Sequence, residues 1–262
     1  MHSQITPLLL TFNEAPNIAR TLARLSWARE IVVVDSGSTD ATREILGQHP
    51  RVRVFERPFT THAEQWNFGL ASTGISTEWV LALDADFVLS DALIDEMAAL
   101  APAPATAGYR AAFTYCIEGR PLRGAAYPPV VVLFRRAGAH YVQDGHTQRV
   151  RLVGQVENLT ARIAHDDRKP LSHWLAAQVR YMGLEADKID RTPTASLKPI
   201  DRLRRLIVVA PVAMFGYCYL VRGGILDGRA GLFYALQRAT AECMLSLHLV
   251  ARRLTRGADD RV

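Results

Sequence analysis

Short apolar runs alternate with segments of helical apolar spacing over the first hundred residues. Four runs predict strands, the third of them an edge strand because its apolar and polar residues alternate. They read "ITPLLLTF", "EIVVVD", "RVRVFE" and "EWVLALDAD". The segments between them predict helices, since Ile18, Leu22 and Leu25, for example, share one helix face. This alternation predicts an α/β fold with a parallel sheet, in which ligands bind beyond the carboxyl ends of the strands.

The pattern changes after a Pro/Ala-rich break at residues 101–105. Strands without regular helices between them predict a mixed or antiparallel sheet, and one helix follows over "LSHWLAAQVRYMGLEADKID". After the linker "RTPTASLKP", two more helices are expected at about 199–222 and 228–255. We therefore predict a main domain over 1–195, with halves 1–100 and 101–195, and a C-terminal helical hairpin over 196–262.

The charge balance is basic, with 31 Lys and Arg against 26 Asp and Glu. This favours anionic partners, but the basic residues are interleaved with aliphatic rather than aromatic side chains, which argues against nucleic acid. Three widely spaced cysteines form no C-x-x-C pair, and no basic segment precedes the short N-terminal apolar run. We therefore expect free thiols and a cytoplasmic protein.

Two aspartates, Asp84 and Asp86, follow the apolar run "WVLAL". On a strand, residues i and i+2 share a face, and two carboxylates on one face repel each other unless a cation or protons intervene. Mg²⁺ or Mn²⁺ prefers oxygen ligands and keeps coordination positions for substrate phosphates. The alternative is a solvated turn that carries two acids by chance.

The other two strand ends are also polar. Asp35, followed by a glycine turn, could accept hydrogen bonds from a nucleobase or a ribose, although a strand–turn–helix junction explains the same residues. In "TFNEAPNI", Asn13 could simply cap the first helix.

Three segments resemble family 2 glycosyltransferases: "LLLTFNEAPNI", "IVVVDSGSTDAT" and "HAEQWNFGLASTGISTEWVLALDAD". Members of that family are inverting enzymes of the GT-A fold, which has helices on both faces of its sheet. They use nucleotide-diphosphate sugars and Mg²⁺ or Mn²⁺. The similarity is clear over about residues 5–100 and weaker beyond. "YLVRGGILDGRAGLFYAL" resembles the C-terminal segment of the bacterial branch that builds lipopolysaccharide cores and other surface glycans.

The resemblance implies roles for the strand-end residues and for the two halves of the main domain. Residues 1–100 would bind the nucleotide sugar and residues 101–195 the acceptor. Asp35 would lie beside the base, Asp84 would approach ribose and metal, and Asp86 would bind the metal. Ser36 stands where many members have an aspartate that often touches uracil. The remaining residues of the nucleotide pocket would be Thr11, Asn13 and Glu14.

Inverting transfer needs a general base on the acceptor side. Family members often have a His-Glu pair where this chain reads "YVQDGHTQRV", so His146 matches the histidine but Thr147 replaces the glutamate. Asp144 is our candidate base and His146 its competitor; the alternative is a polar β-turn.

The segment "RIAHDDRKPL" follows a predicted strand. His165 could be a third metal or diphosphate ligand, and Arg168 and Lys169 could neutralise phosphate charge. The alternative is an ordinary polar loop.

The longest apolar run, "LIVVAPVAMFGYCYLV", is shorter than a bilayer span and contains Pro211. Arginines flank it, which is typical of helices that lie in an anionic membrane surface; the alternative is a hairpin packed on the catalytic domain or on a second subunit.

Together these patterns predict a metal-dependent inverting glycosyltransferase. It would move a hexose from a nucleotide sugar, most simply a UDP-sugar, to a lipid-linked or cell-surface saccharide at the inner face of the cytoplasmic membrane. One alternative is a non-catalytic nucleotide-sugar-binding or membrane scaffold protein. A sugar-phosphate nucleotidyltransferase is disfavoured, because "TFNEAPN" lacks the glycine-rich phosphate loop of that class.

Overall fold

A computed structural model describes residues 1–144 and 147–259, with side chains described as far as residue 255. The chain forms two compact units, Met1–Pro121 with Tyr127–Lys169 and Leu122–Ala126 with Pro170–Val262. The first unit contains the strands and four helices, and the second contains the remaining helices. The functional division at 195/196 stays a prediction.

The strands are β1 Ile5–Thr11, β2 Ile31–Asp35, β3 Val52–Glu56, β4 Trp79–Asp84, β5 Phe87–Leu89, β6 Thr106–Ile117, β7 Arg120–Pro121, β8 Val130–Arg135, β9 His140–Asp144, β10 Thr147–Arg151 and β11 Gln155–His165. The α-helices are α1 Ile18–Ala23, α2 Thr42–Gly47, α3 His62–Ser72, α4 Asp91–Ala99, α5 Leu171–Arg191, α6 Pro199–Arg204, α7 Val209–Gly216 and α8 Gly228–Asp259.

The main sheet runs in the order β3-β2-β1-β4-β8-β6-β11-β5, with β7 paired to β6. The first four strands are parallel, and β3 lies at the edge, as the sequence predicts. The later strands are mixed: β8 runs antiparallel to β4 and β6, whereas β11 runs parallel to β6. Strands β9 and β10 form a separate hairpin.

Helices cover both faces of the sheet. On one face, Leu22 of α1 and Leu93 of α4 pack in the same core as Leu9 of β1. On the other face, Trp66 of α3 packs in the core that contains Leu8 of β1. Because successive strand residues point to opposite faces, one strand supplies both cores. The predicted α/β fold class is confirmed.

Within the second unit, α5 packs on α8 through apolar residues that include Met182, Ile189 and Leu245. The helix predicted over 199–222 is interrupted, because α6 ends at Arg204 and α7 begins at Val209. Ile207 has a left-handed φ of 59°. Pro211 lacks an N–H and is tolerated only in a first helical turn, so the helix restarts just before it.

No single described helix has the length and hydropathy of a membrane span. The segments Val209–Val221 and Gly224–Thr255 reach the length and hydropathy of a membrane span only when they are taken together, and the chain bends by 67° between them.

Three glycines bring the backbones of the second unit close together. A Cβ on Gly124 would lie 2.6 Å from the Cα of Gly224, and one on Gly231 would overlap the carbonyl oxygen of Gly224. Asp227 accepts hydrogen bonds from the amides of Arg123 and Gly124, at 2.8 and 3.0 Å. The short segment Leu122–Ala126 is thereby fixed against the beginning of α8.

Candidate active site

The polar ends of β1, β2 and β4 meet at one edge of the sheet. The register places Thr11 opposite Asp35, and Leu10 opposite Asp84. Asp86 lies in the turn after β4, not on the strand. The two carboxylates therefore do not share one strand face, contrary to the prediction, although the charge of Asp86 acts on Asp84.

Asp84 and Asp86 differ in their partners. The carboxylate of Asp84 accepts no hydrogen bond from any residue that the structure describes, whereas Oδ2 of Asp86 lies 3.1 Å from Nε2 of His165. Oδ1 of Asp86 is buried without a hydrogen-bond partner. Three carboxylate oxygens at this point are consequently available to a ligand.

The electrostatics follow from this arrangement. Burial, and after it the charge of Asp86, raise the pKa of Asp84 to about 6, although His165 and Lys169 act in the opposite direction. Burial alone would raise the pKa of Asp86, but the His165 ring lowers it below its ordinary value. Burial would lower the pKa of His165, but the charges of Asp86 and Asp84 raise it above its usual range. The two carboxylates therefore favour the protonated form of His165, and the His165 ring in turn favours the ionised form of Asp86.

Aromatic rings surround His165. The rings of Tyr115 and Tyr127 each lie 4.7 Å from its ring centroid, and Phe87 lies 5.2 Å away, all in edge-on contact. This packing fixes the imidazole, so its Nε2 stays directed at Asp86.

Glu14 and Lys169 form a largely buried ion pair beside the two aspartates. The distance from Nζ of Lys169 to Oε1 of Glu14 is 2.6 Å. Burial raises the pKa of Glu14 to about 7, against the attraction of Lys169. Burial would lower the pKa of Lys169, but Glu14, Asp167 and Asp86 raise it, so this side chain remains cationic. Lys169 thus places a positive charge where the sequence predicts a diphosphate.

Asp166 anchors the loop that carries Lys169. Its carboxylate accepts hydrogen bonds from Arg20 at 2.7 Å, from Arg168 at 2.9 and 2.8 Å, and from the amide of Gly119 at 3.0 Å. The guanidinium of Arg168 also pairs with Glu118. Arg168 is therefore engaged with protein carboxylates, and its predicted contact with a diphosphate stays a prediction.

Asp35 is fully buried and accepts four hydrogen bonds. The donors are Oγ of Thr11 at 2.7 Å, Oγ of Ser38 at 2.6 Å, and the amides of Gly37 and Ser38. A carboxylate has about four acceptor positions. Asp35 and Thr11 thus fix the end of β2, and the predicted contact of Asp35 with a base would need one of these bonds to be exchanged.

Asn13 orders the same turn. It has a left-handed φ of 55° and its side-chain oxygen accepts from the amide of Thr39 at 2.8 Å. Its amide donates to Oγ of Ser38 at 2.9 Å. Asn13 is therefore not the cap of α1, because that position belongs to Asn17.

Ser36 is half-exposed beside this turn, and its Oγ accepts from Nε2 of Gln65 at 2.8 Å. Gln65 also donates to the carbonyl of Arg57. The hydroxyl proton of Ser36 is not used in these bonds and could be donated to a ligand.

Asp144 ends β9, and its Oδ2 lies 2.7 Å from Nε of Arg149 across the hairpin. Thr147 donates to its carbonyl at 2.9 Å. The predicted role of Asp144 as general base stays a prediction. The competing candidate base, His146, lies outside the described residues.

The carboxylates of Asp84 and Asp86 fit a divalent cation that is held partly by substrate phosphates. Among the described residues, no group of three or more His, Cys, Asp or Glu side chains has the arrangement of a metal site. Mg²⁺, however, is commonly held by one or two carboxylates together with substrate phosphates. The unpartnered Oδ1 of Asp86 and the unbonded carboxylate of Asp84 meet that requirement.

Sequence reasoning missed several residues that organise this edge. Asn17 is fully buried; its side chain donates to Glu14 and Asp167 and accepts from the amide of Arg168. Tyr141 of β9 stacks on Trp66, and burial together with the charge of Asp84 raises the pKa of its hydroxyl. For Asn17, the sequence signals were the second asparagine of "NEAPN", which is Asn17 itself, and the acid pair in "HDDRK", which contains its partner Asp167.

Solved structures with similar folds are distant in sequence. S. aureus TarS 1–349 in complex with UDP-GlcNAc is 14% identical, with a TM-score of 0.49 over 96% of this chain and 92% of that chain. Glucosyl-3-phosphoglycerate synthase from Mycobacterium tuberculosis, in complex with Mn²⁺, UDP and phosphoglyceric acid, is 16% identical, with a TM-score of 0.47 over 71% and 78%. Likeness at this level does not identify a substrate.

Sequence relatives match only the first part of the chain. An uncharacterized glycosyltransferase of Rickettsia bellii (strain RML369-C) is 36% identical over 95 residues, which are 36% of this chain and 31% of the relative. One of Rickettsia felis (strain ATCC VR-1525 / URRWXCal2) is 36% identical over 95 residues, 36% of this chain and 32% of the relative. The match thus spans about a third of the length of each relative.

The model of one family, Glycosyl transferase family 2, matches residues 8–149, which is more than half of the chain. That region contains the ends of β1, β2 and β4 and the hairpin of Asp144. The chain therefore belongs to glycosyl transferase family 2.

Proposed function

We propose that this protein is a metal-dependent inverting glycosyltransferase that moves a hexose from a UDP-sugar to a lipid-linked or cell-surface saccharide. The observation that carries the proposal is the group of three carboxylate oxygens of Asp84 and Asp86, at and just beyond the end of β4, that accept no hydrogen bond from the described residues. Membership of the family supports sugar transfer from an activated donor.

In this proposal the donor's diphosphate lies near Asp84, Asp86 and Lys169. Mg²⁺ or Mn²⁺ held by the two aspartates would offset the charge of the leaving diphosphate. Lys169 and His165 are the basic side chains whose charges act on both of these carboxylates. Ser36 would lie beside the base, since it lies within the turn that Asp35 fixes.

The acceptor hydroxyl loses its proton as its oxygen attacks the anomeric carbon from the side opposite the diphosphate. Asp144 or His146 would take that proton. For Asp144 this requires that its ion pair with Arg149 opens or turns aside when the acceptor binds. We further propose that the reaction takes place at the inner face of the cytoplasmic membrane.

The test is release of nucleoside diphosphate from a panel of nucleotide sugars with Mn²⁺, Mg²⁺ or EDTA. We expect metal-dependent release from a UDP-sugar, loss of release in Asp86→Asn, and normal release in the control Asp95→Asn, which changes an exposed carboxylate on α4. Metal-dependent binding of UDP by calorimetry, without release from any donor in the presence of saccharide acceptors, would favour the non-catalytic alternative.

A further inference from the structure

Exposed apolar side chains are concentrated in one segment of the second unit, residues 206–236. Six of them have at least 60% of their surface exposed, and several others are more than one third exposed. The six are Leu206, Val208, Val212, Leu220, Val221 and Leu226. Folded proteins rarely leave so many large apolar side chains in water unless a partner covers them.

The charges in this part of the chain are one-sided. Residues 198–253, all of which the structure describes, contain nine basic and three acidic residues. None of the three acids is exposed. Asp201 and Glu242 are buried and form ion pairs with Arg204. Asp227 is half-buried and accepts hydrogen bonds from two backbone amides.

Two arginines within the apolar segment have no carboxylate partner in the part of the chain that the structure describes. Arg222 donates to the carbonyl of Ala125, which leaves its charge unbalanced, and its guanidinium lies over the ring of Tyr217. Arg229 is exposed, and no ion pair to it occurs among the described residues. The exposed surface of the segment is therefore apolar and cationic, with no exposed carboxylate.

We propose that residues 206–236 form a docking surface for an anionic lipid bilayer. Apolar side chains that enter the headgroup–acyl boundary gain from leaving water, and nearby arginines gain from anionic headgroups. The 67° bend between Val209–Val221 and Gly224–Thr255 suits segments that lie along the interface. A second copy of this chain is a poorer occupant, because it would set the same unbalanced arginines against each other.

The first test uses sedimentation with vesicles of phosphatidylcholine, with and without phosphatidylglycerol. We expect binding only to the anionic vesicles and weaker binding at raised salt. The double variant Arg222→Gln, Arg229→Gln should lose affinity by about fivefold per arginine. The charge-matched control, Arg29→Gln with Arg110→Gln, changes two exposed arginines of the first unit and should bind as the wild type does.

The apolar contribution is tested by Leu220→Gln with Leu226→Gln, against the control Val153→Gln at a 93% exposed position of the first unit. We expect vesicle binding to fall in the first variant and not in the control, with unchanged circular dichroism in both. Wild-type protein that is folded but does not bind anionic vesicles would overturn the proposal. So would equal binding by surface and control variants, or variants that turn a dimer into a monomer in ultracentrifugation while vesicle binding stays unchanged.

Discussion

Nε2 of His165 lies 3.1 Å from Oδ2 of Asp86 and joins the end of β11 to the turn after β4. Both side chains are largely buried. Among the described residues, the imidazole of His165 is the side chain that forms a hydrogen bond with the carboxylate of Asp86. His165→Phe keeps a ring among its aromatic neighbours but leaves the buried carboxylate of Asp86 without a hydrogen-bond partner for Oδ2. We expect a loss of about 2–4 kcal/mol in the free energy of unfolding, measured by urea titration.

The double variant His165→Phe, Asp86→Asn removes the buried charge as well. It should be more stable than the sum of the two single changes predicts, because the two residues interact directly. Strictly additive losses would show that the contact contributes nothing to stability.

Lys169 has two roles that mutation can separate, since it balances buried Glu14 and is also expected to face a diphosphate. Lys169→Met should destabilise the fold by about 2–3 kcal/mol, because the buried carboxyl of Glu14 loses its ammonium partner and must be buried either unpaired or protonated. Adding Glu14→Gln should restore part of that stability in thermal unfolding.

Affinity for UDP with Mn²⁺, measured by calorimetry, gives the second readout for the same variants. We expect weak UDP binding in Lys169→Met and in the double variant Lys169→Met, Glu14→Gln. The affinity of the single variant Glu14→Gln is measured as the reference for the double variant. Recovery of affinity in the double variant would mean that Lys169 acts only by supporting the fold.

Asp35 and Ser36 are neighbours with opposite expected roles. Asp35→Ala leaves the hydroxyls of Thr11 and Ser38 without their acceptor and should cost about 3 kcal/mol of stability. Ser36→Ala removes only the bond from Gln65 and should change stability by less than about 1 kcal/mol. If Ser36 touches the base, its removal lowers UDP affinity severalfold; unchanged affinity for UDP in a folded Ser36→Ala protein would contradict that placement.

Asp166 should make stability depend on pH. Burial would raise its pKa, but the hydrogen bonds from Arg168 and Gly119 lower the pKa below the ordinary value of 3.8. A lowered pKa in the folded state stabilises the protein above the unfolded pKa, and this contribution is lost as pH falls through the folded value. Wild type should therefore exceed Asp166→Asn in stability by about 1–3 kcal/mol at neutral pH, and the gap should narrow below about pH 4.

Denaturant unfolding of both proteins across this pH range is the measurement. The exposed carboxylate variant Asp95→Asn serves as the control for general effects of charge. A gap that is constant down to strongly acidic pH would show that Asp166 acts without its charge.

Local periodicity was enough to predict the parallel strands and the acids at their ends. β1, β2 and β4 are continuous buried runs, and Asp84 stands where the run of β4 stops. The position of Asp86 beyond the strand was missed, because a strand's end is set by pairing with its neighbours and not by hydropathy.

Contacts that organise the loops could not be read from the sequence. Asn17 bonds to Asp167 across 150 positions, and Arg20 to Asp166 across 146. Such pairs have no periodic signature, and one polar loop looks like another until the fold brings them together. The break near Ile207 was equally hidden, since the run around it is uniformly apolar and only Pro211 hints at it.

Segment Leu122–Ala126 belongs to the helical unit although it lies in the middle of the first unit's sequence. The amides of Arg123 and Gly124 donate hydrogen bonds to Asp227, and the amide of Ala126 donates to the hydroxyl oxygen of Tyr234 at 3.0 Å. A chain shortened to end at Lys169 would still contain Leu122–Ala126 but would lack Asp227 and Tyr234, which accept the hydrogen bonds of these amides. The helical unit is thus built from two separate stretches of the polypeptide, and no single cut in the chain divides it from the first unit.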